Sequence, residues 1–306
     1  MNFNSFNKRR GITLIELLVA MGILSLLLAA VFVVYRTQLR TATTQRSISL
    51  LQTDIQQAFN IMKFDVLMAG YGIPATQIPI NGVNRSDAPD VLSLMSTGFI
   101  VGGTTRWSYT MDIFGANQII VRRWGDERVD VQVGDRILIM DDRKKLIITQ
   151  PLTVTAREAL TYNNQPAYRL TLSGNVQTAA GNFVYVIPGG QFQTVQYSLR
   201  NDTLLRAGVP FLTGVEDFQV SYWVDQNKNG IEDAGERVHN PQGIADFNQL
   251  LRSVRLNLVL LGALDMDYTY PQNQITLEDH TYNLNGDQLH RRRRIYTLDI
   301  KVRNVR

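Results

Sequence analysis

The sequence predicts an α+β protein: one long N-terminal α-helix, half transmembrane and half amphipathic, packed on antiparallel β-sheet that divides into two β-rich lobes. Three observations predict this class. Residues 12–34 form an apolar run of 23 positions with a single charge, Glu16. From Thr37 to Ala69 there is no proline or glycine, and Ile48, Leu51, Ile55, Phe59, Met62 and Val66 recur at spacings of three or four. After Pro74 the pattern changes to short β-prone runs separated by turn residues.

The apolar run comes first. At ~1.5 Å per residue, 23 residues give a helix of ~35 Å, enough for a hydrocarbon core of ~30 Å. A secretory signal peptide fits poorly, because its apolar stretch is typically ~7–15 residues and ends at small residues. Lys8, Arg9 and Arg10 precede the run, while Arg36, Arg40 and Arg46 follow it. This even balance leaves the orientation open on charge alone. Glu16 is costly in lipid, by roughly 2.5–3.5 kcal/mol at a helix centre, unless it reaches water or a cation satisfies it.

The string Lys8-Arg9-Arg10-Gly11-Ile12-Thr13-Leu14-Ile15-Glu16-Leu17-Leu18 resembles the prepilin (class III) signal of type IV pilins and type II secretion pseudopilins. The basic cluster, the glycine, the apolar run and the lone acid all fall in register. The resemblance implies a prepilin peptidase that cuts between Gly11 and Ile12 on the cytoplasmic face and methylates the new amine. Residues 1–11 would then be a leader, 12–34 a transmembrane and filament helix, and the body would lie outside the cytoplasmic membrane. Glu16 becomes the fifth mature residue, which in this family pairs with the N-terminal amine of a neighbouring subunit. Ile12 stands where phenylalanine is commoner.

Residues 35–74 read as an amphipathic continuation of the same helix, ended by Gly70, Gly72 and Pro74. Its stripe reads as core packing against the chain's own sheet. Asp65-Val66-Leu67-Met68-Ala69-Gly70-Tyr71-Gly72 resembles the end of the first helix in PilW-type minor pilins. Those proteins often carry a cysteine just beyond; this chain has no cysteine at all, so no disulfide carries over.

Two lobes are expected next, residues 75–190 and 191–306, with a break near 188–192. The first holds the runs Leu92–Met95, Gln118–Val121, Arg136–Met140, Lys145–Ile148, Tyr168–Leu172 and Phe183–Ile187, with turns at Gly102-Gly103, Asp141-Asp142, Asn163-Asn164 and Gly189-Gly190. The second holds 193–199, 215–224, 254–261 and 296–302. In the last of these Tyr296, Leu298, Ile300 and Val302 alternate with Thr297, Asp299 and Lys301, the mark of one buried face. The passage from Tyr197-Ser198-Leu199 through Thr203–Arg206 to Gly214–Val220 again resembles PilW-type proteins, as does the end of the chain from Arg291. Residues 75–190 resemble no family.

Asp225-Gln226-Asn227-Lys228-Asn229-Gly230-Ile231-Glu232-Asp233-Ala234-Gly235-Glu236 matches D-x-[DN]-x-[DN]-G-x₅-E in full. It is a candidate Ca²⁺ loop with oxygens from Asp225, Asn227, Asn229, the Ile231 carbonyl, Asp233 and Glu236. Its entry, Phe218–Val224, reads as a strand, so the loop would lie outside a helix–loop–helix.

Composition bounds the rest. With 44% hydrophobic and 19% charged residues the chain is no disordered polymer. The net charge of +4 falls to near +1 without the leader, so the body carries no nucleic-acid signature. Arg291–Arg294 reads as a solvated turn or edge-strand protection, with DNA a remote alternative. No catalytic motif occurs, and the expected role is structural rather than enzymatic. The resemblance implies a minor pilin that initiates or caps pilus assembly with other minor and major pilins. A minor pseudopilin, or an uncut membrane-anchored binding domain or enzyme, is the alternative.

Overall fold

The computed structural model describes residues 14–99 and 105–305, with backbone alone at 40, 41, 43–52 and 263. Lys8, Arg9, Arg10, Gly11, Ile12 and the Gly102-Gly103 turn lie outside the described residues, as do the side chains of Ile48 and Leu51. The chain divides into two units, Met1–Gln57 and Ala58–Arg306.

The expected long helix is α1, Leu14–Met68, 55 residues without interruption. In the first unit, Leu14–Leu39 is long and apolar enough to cross a membrane, and all of it is exposed. Ser25 and Thr37 turn their hydroxyls back onto the helix, donating to the carbonyls of Gly22 and Val33 at 2.8 and 2.9 Å. That local bond lets a polar side chain sit in an apolar rod. In the second unit, Met62 and Val66 of the predicted stripe are fully buried and Phe59 is half-buried. Phe59 meets Tyr296 edge-on, ring centroids 6.2 Å apart.

The body is all but pure antiparallel sheet. Strands β1 (Ile80–Val83) and β2 (Val91–Ser96) open it. Six strands then close into a barrel: β3 (Trp107–Ile113), β4 (Gln118–Arg122), β5 (Arg136–Met140), β6 (Leu152–Tyr162), β7 (Gln165–Leu172) and β8 (Phe183–Val186), in the order β3-β4-β7-β6-β5-β8. Ile119, Val121, Ile137, Ile139, Val154, Leu170 and Val184 fill it. Closure leaves no free edge. A 3₁₀ turn at Pro188–Gly190 leaves the barrel.

Beyond it, β9 (Gln193–Arg200), β10 (Thr203–Arg206) and β11 (Val209–Thr213) extend β1 and β2 into a five-stranded sheet ordered β1-β2-β9-β10-β11. A second sheet, β13-β12-β14-β17, is built from β12 (Val215–Val224), β13 (Arg237–Val238), β14 (Leu251–Leu264) and β17 (Arg291–Lys301). A one-turn helix α2 (Phe247–Leu250) leads into β14, and the hairpin β15 (Gln274–Leu277) and β16 (His280–Asn283) precedes β17.

Two expectations change. The boundary between lobes is not 75–190, because β1 and β2 belong with the later strands: Leu92 stands opposite Tyr197 and Leu94 opposite Val195. All four are buried, and that shared apolar face draws residues 80–96 away from the barrel. The first lobe is thus the barrel alone, inserted between β2 and β9. Lys145–Ile148 is no strand either. The Asp141 carboxylate accepts the amides of Arg143 and Lys145 at 3.0 and 2.7 Å, folding the chain back so that only a single bridge, Met140 to Leu146, forms.

Candidate assembly helix, helix clamp and metal loop

Glu16 lies in the first turn of α1 and is exposed. A carboxylate suits that end, since the helix dipole is positive there. From Leu14 to Tyr35 it is the lone charge on an exposed apolar surface that includes Leu17, Leu18, Ile23, Leu27 and Phe32. Such a surface is stable only against lipid or other apolar helices.

The lower end of α1 is held by a second acid. Asp65 is fully buried and takes three hydrogen bonds. The Tyr197 hydroxyl donates to Oδ2 at 2.5 Å, and the Arg206 guanidinium donates twice, Nε to Oδ2 at 2.7 Å and Nη2 to Oδ1 at 2.9 Å. Local sequence makes this possible. Asn201 and Asp202, both at positive φ, form the two-residue turn between β9 and β10. The register that turn sets puts Arg206 directly opposite Tyr197. Burial first, and Asp65 second, drive the Tyr197 pKa up, so the phenol stays a donor at every physiological pH. The hydrogen bonds that Arg206 donates to Asp65 raise the guanidinium's own pKa.

Gly70 ends the helix at φ +84°, with its amide on the Met95 carbonyl at 2.9 Å. Its carbonyl accepts from Lys144 Nζ at 3.1 Å, and the same ammonium also binds the Asn304 carbonyl. Burial pulls the Lys144 pKa down to about 8. A Cβ at Gly70 would land on the Asn304 carbonyl, which is backbone and has little room to yield. Gly115 has nearly the same φ, +83°, in open space. Gly70→Ala should therefore destabilise the fold by more than the ~1–3 kcal/mol of left-handed strain alone. Gly115→Ala should show only that strain, and the two denaturation midpoints give the comparison. Equal shifts would refute the clash.

Two family models match this chain. The prokaryotic N-terminal methylation motif covers residues 6–32, and type IV pilus-assembly protein W covers residues 183–304. These two matches support a type IV pilin-like protein. No curated protein and no solved structure matches it. The methylation motif spans the exposed apolar part of α1 and Glu16. The assembly-protein match takes in β8 through β17, including Tyr197, Arg206 and the 225–236 loop. Residues 107–182 of the barrel fall outside both.

The candidate metal loop joins β12 to β13, so it enters and leaves through paired strands, Trp223 opposite Arg237 and Tyr222 opposite Val238. Asp225 and Glu236, its two ends, are buried, and the residues between are exposed. Asp225 Oδ2 accepts the Gly230 amide at 3.2 Å and Arg252 Nε at 2.8 Å. Asn227 and Asn229 both donate side-chain amides to Asp233 Oδ2 at 2.7 Å. Glu236 accepts from the Gln226 and Asp233 amides and from the Trp223 indole, at 3.0, 3.1 and 3.3 Å. Among the described residues, no three His, Cys, Asp or Glu side chains gather as a metal cluster.

Arg291–Arg294 needs a partial correction. Arg292 and Arg294 are exposed on β17, an edge strand, as edge protection requires. The Arg293 side chain is turned inward instead, its fork closed on Glu216 at 2.5 and 2.8 Å. The sequence reading also missed a buried pair, His280 Nδ1 and Asp217 Oδ2, 3.0 Å apart, with Gln219 bridging both. Burial raises the Asp217 pKa and pushes that of nearby Asp90 up to about 6. Nothing in the pattern of these residues marks them, since His280 is 63 residues from Asp217 and 61 from Gln219 in sequence.

Proposed function

We propose that this protein is a minor pilin, a structural subunit that initiates or caps a type IV pilus together with other minor and major pilins. The observation that carries the reading is the overlap of the methylation-motif match, residues 6–32, with an exposed, membrane-length helix bearing Glu16. Exposed apolar area costs about 25 cal/mol per Å² in water, so this segment needs lipid first and neighbouring helices later. In this reading the prepilin peptidase cuts between Gly11 and Ile12, leaving Lys8, Arg9 and Arg10 on the cytoplasmic side. The chain then spans the cytoplasmic membrane once with its body outside, until it enters a pilus or reaches the cell surface. The match to an assembly protein over residues 183–304 favours a pilus over a type II secretion system, whose pseudopilins share the signal.

Intact mass and N-terminal peptide mapping of protein recovered from cell envelopes test this directly. The expected chain begins at N-methylated Ile12. A chain that still begins at Met1 would exclude pilin processing and leave an uncut anchored domain.

A further inference from the structure

We propose that the Asp225–Glu236 loop binds Ca²⁺. The inference is independent of the assembly reading, and either can fail without the other.

The argument begins with one atom. Asp225 Oδ1 is buried without a hydrogen-bond donor, although its carboxylate is held at the loop by the Gly230 amide on Oδ2. Arg252 already pairs with Oδ2 at 2.8 Å, but a buried carboxylate oxygen without a donor is costly, and a second cation on Oδ1 would remove that cost. Asp225 stands at the first position of a twelve-residue pattern whose remaining positions also supply oxygen: Asn227, Asn229, the Ile231 carbonyl, Asp233 and Glu236.

The backbone is already wound for such ligation. Asn227 Oδ1 accepts the Asn229 amide at 3.0 Å, and Asn229 Oδ1 accepts the Ile231 amide at 2.7 Å. Each amide oxygen keeps a second lone pair for an ion. Gly230, at φ +75°, makes the sharp turn. The two ends are fixed by the β12–β13 ladder and by the Val224 amide on the Glu236 carbonyl at 2.9 Å. Little chain entropy remains to be lost on binding.

Charge selects the ion. Asp225, Asp233 and Glu236 carry three negative charges, and Arg252 offsets one. These three acids do not gather as a cluster in this structure, and the rest of the ligand set is two neutral amides and one backbone carbonyl. A mixed, flexible, all-oxygen set suits Ca²⁺, whereas Mg²⁺ demands a tighter octahedron and holds its water. Weak all-oxygen sites in extracellular modules have a Kd of about 10⁻⁴–10⁻³ M, the range expected for this loop. Binding would fasten a loop whose Glu232 pairs with Arg237, which in turn reaches Asp299 on β17.

Trp223 supplies the test, because its indole donates to Glu236 Oε2 at 3.3 Å. The full chain, in detergent and stripped with a chelator, is titrated with Tb³⁺ under tryptophan excitation. Sensitised emission should appear and be displaced by Ca²⁺ but not by equal Mg²⁺. Calorimetry of Ca²⁺ binding provides the direct measure. Asp225→Ala and Glu236→Gln should each weaken Ca²⁺ at least about tenfold, as loss of a charged ligand implies. Trp223→Phe should silence the emission while calorimetric Ca²⁺ binding persists. The proposal is overturned if the unmodified chain gives neither a Ca²⁺ heat nor displaceable emission. It is equally overturned if Glu236→Gln, folded by circular dichroism, binds Ca²⁺ as the unmodified chain does.

Discussion

Replacing Glu16 with alanine should leave cleavage after Gly11 intact and still exclude the subunit from pili, lowering its level in a sheared-pilus fraction by tenfold or more. In the proposed function a prepilin peptidase would act at the cytoplasmic face on the Gly11–Ile12 bond, a step that needs no carboxylate one turn further along. Assembly is different. Packing apolar helices side by side is driven by van der Waals contact and has little directional preference, so it does not by itself fix how far one rod slides along another. In the proposed assembly a single acid would fix it. Within apolar surroundings the carboxylate costs roughly 2.5–3.5 kcal/mol unless paired, and only one axial offset brings a neighbour's terminal amine to it. Glu16→Ala removes the penalty and the register together. A tenfold loss is ~1.4 kcal/mol, well inside what that pairing supplies. Glu16→Gln keeps the shape and hydrogen bonds but loses the charge, and should fail nearly as badly. The readout is the ratio of mature subunit in the sheared fraction to that in membranes, by immunoblot. Normal incorporation of Glu16→Ala would refute the pairing role; accumulation of uncleaved chain would show that the acid serves processing instead.

What could be read from the sequence follows from which interactions are local. From Leu14 to its last turn the helix was legible, because apolar periodicity and the Gly70–Pro74 stop are encoded within a few residues of where they act. The positions of most strands, the Asn163-Asn164 turn and the strand entering the 225–236 loop were legible for the same reason. Long-range pairing was not. Residues 80–96 look like any other β-prone runs, and only their partner, β9, a hundred residues on, assigns them to the sheet rather than the barrel. Lys145–Ile148 has β propensity, yet Asp141 two to four residues earlier bends it back. At the helix end the pattern that contains Asp65 and the passage that contains Tyr197 and Arg206 were both visible as separate features. That they are two halves of one contact is a fact of register, set by the tight turn at Asn201-Asp202. Arg293 makes the same point from the other side: four successive arginines read as solvent-facing, and the pleat sends one of them inward to Glu216.

Asp65→Ala should cost the folded body about 3 kcal/mol or more. Removing one partner of a buried ion pair typically costs ~3–5 kcal/mol, because the other charge stays behind uncompensated. Here the survivors are the Arg206 guanidinium, whose side chain is 24% exposed, and the Tyr197 hydroxyl. The partial exposure of Arg206 lets water take up part of its charge, which places the expectation at the lower end of that range. Tyr197 is fully buried and has no such relief. For a body of this size ~3 kcal/mol corresponds to a fall in melting temperature of roughly 6–12 °C. The comparison variants separate charge from shape. Tyr197→Phe removes one donor and leaves the Arg206 fork, so about 1–2 kcal/mol should go. Asp65→Leu with Arg206→Met removes both charges and refills the volume, and should be far milder than Asp65→Ala alone. Chemical denaturation of the full chain in detergent, followed by circular dichroism, measures all three. A loss below 1 kcal/mol for Asp65→Ala would mean that apolar burial around Met62 and Val66 holds the helix on the sheet unaided. A double variant no better than Asp65→Ala would mean that the cost lies in packing rather than in the stranded charge. The expected ordering, single acid loss worst and charge-free pair mild, is what a buried pair chosen for register rather than for strength produces: it stabilises little against a greasy substitute, but it forbids α1 from seating one residue out of place.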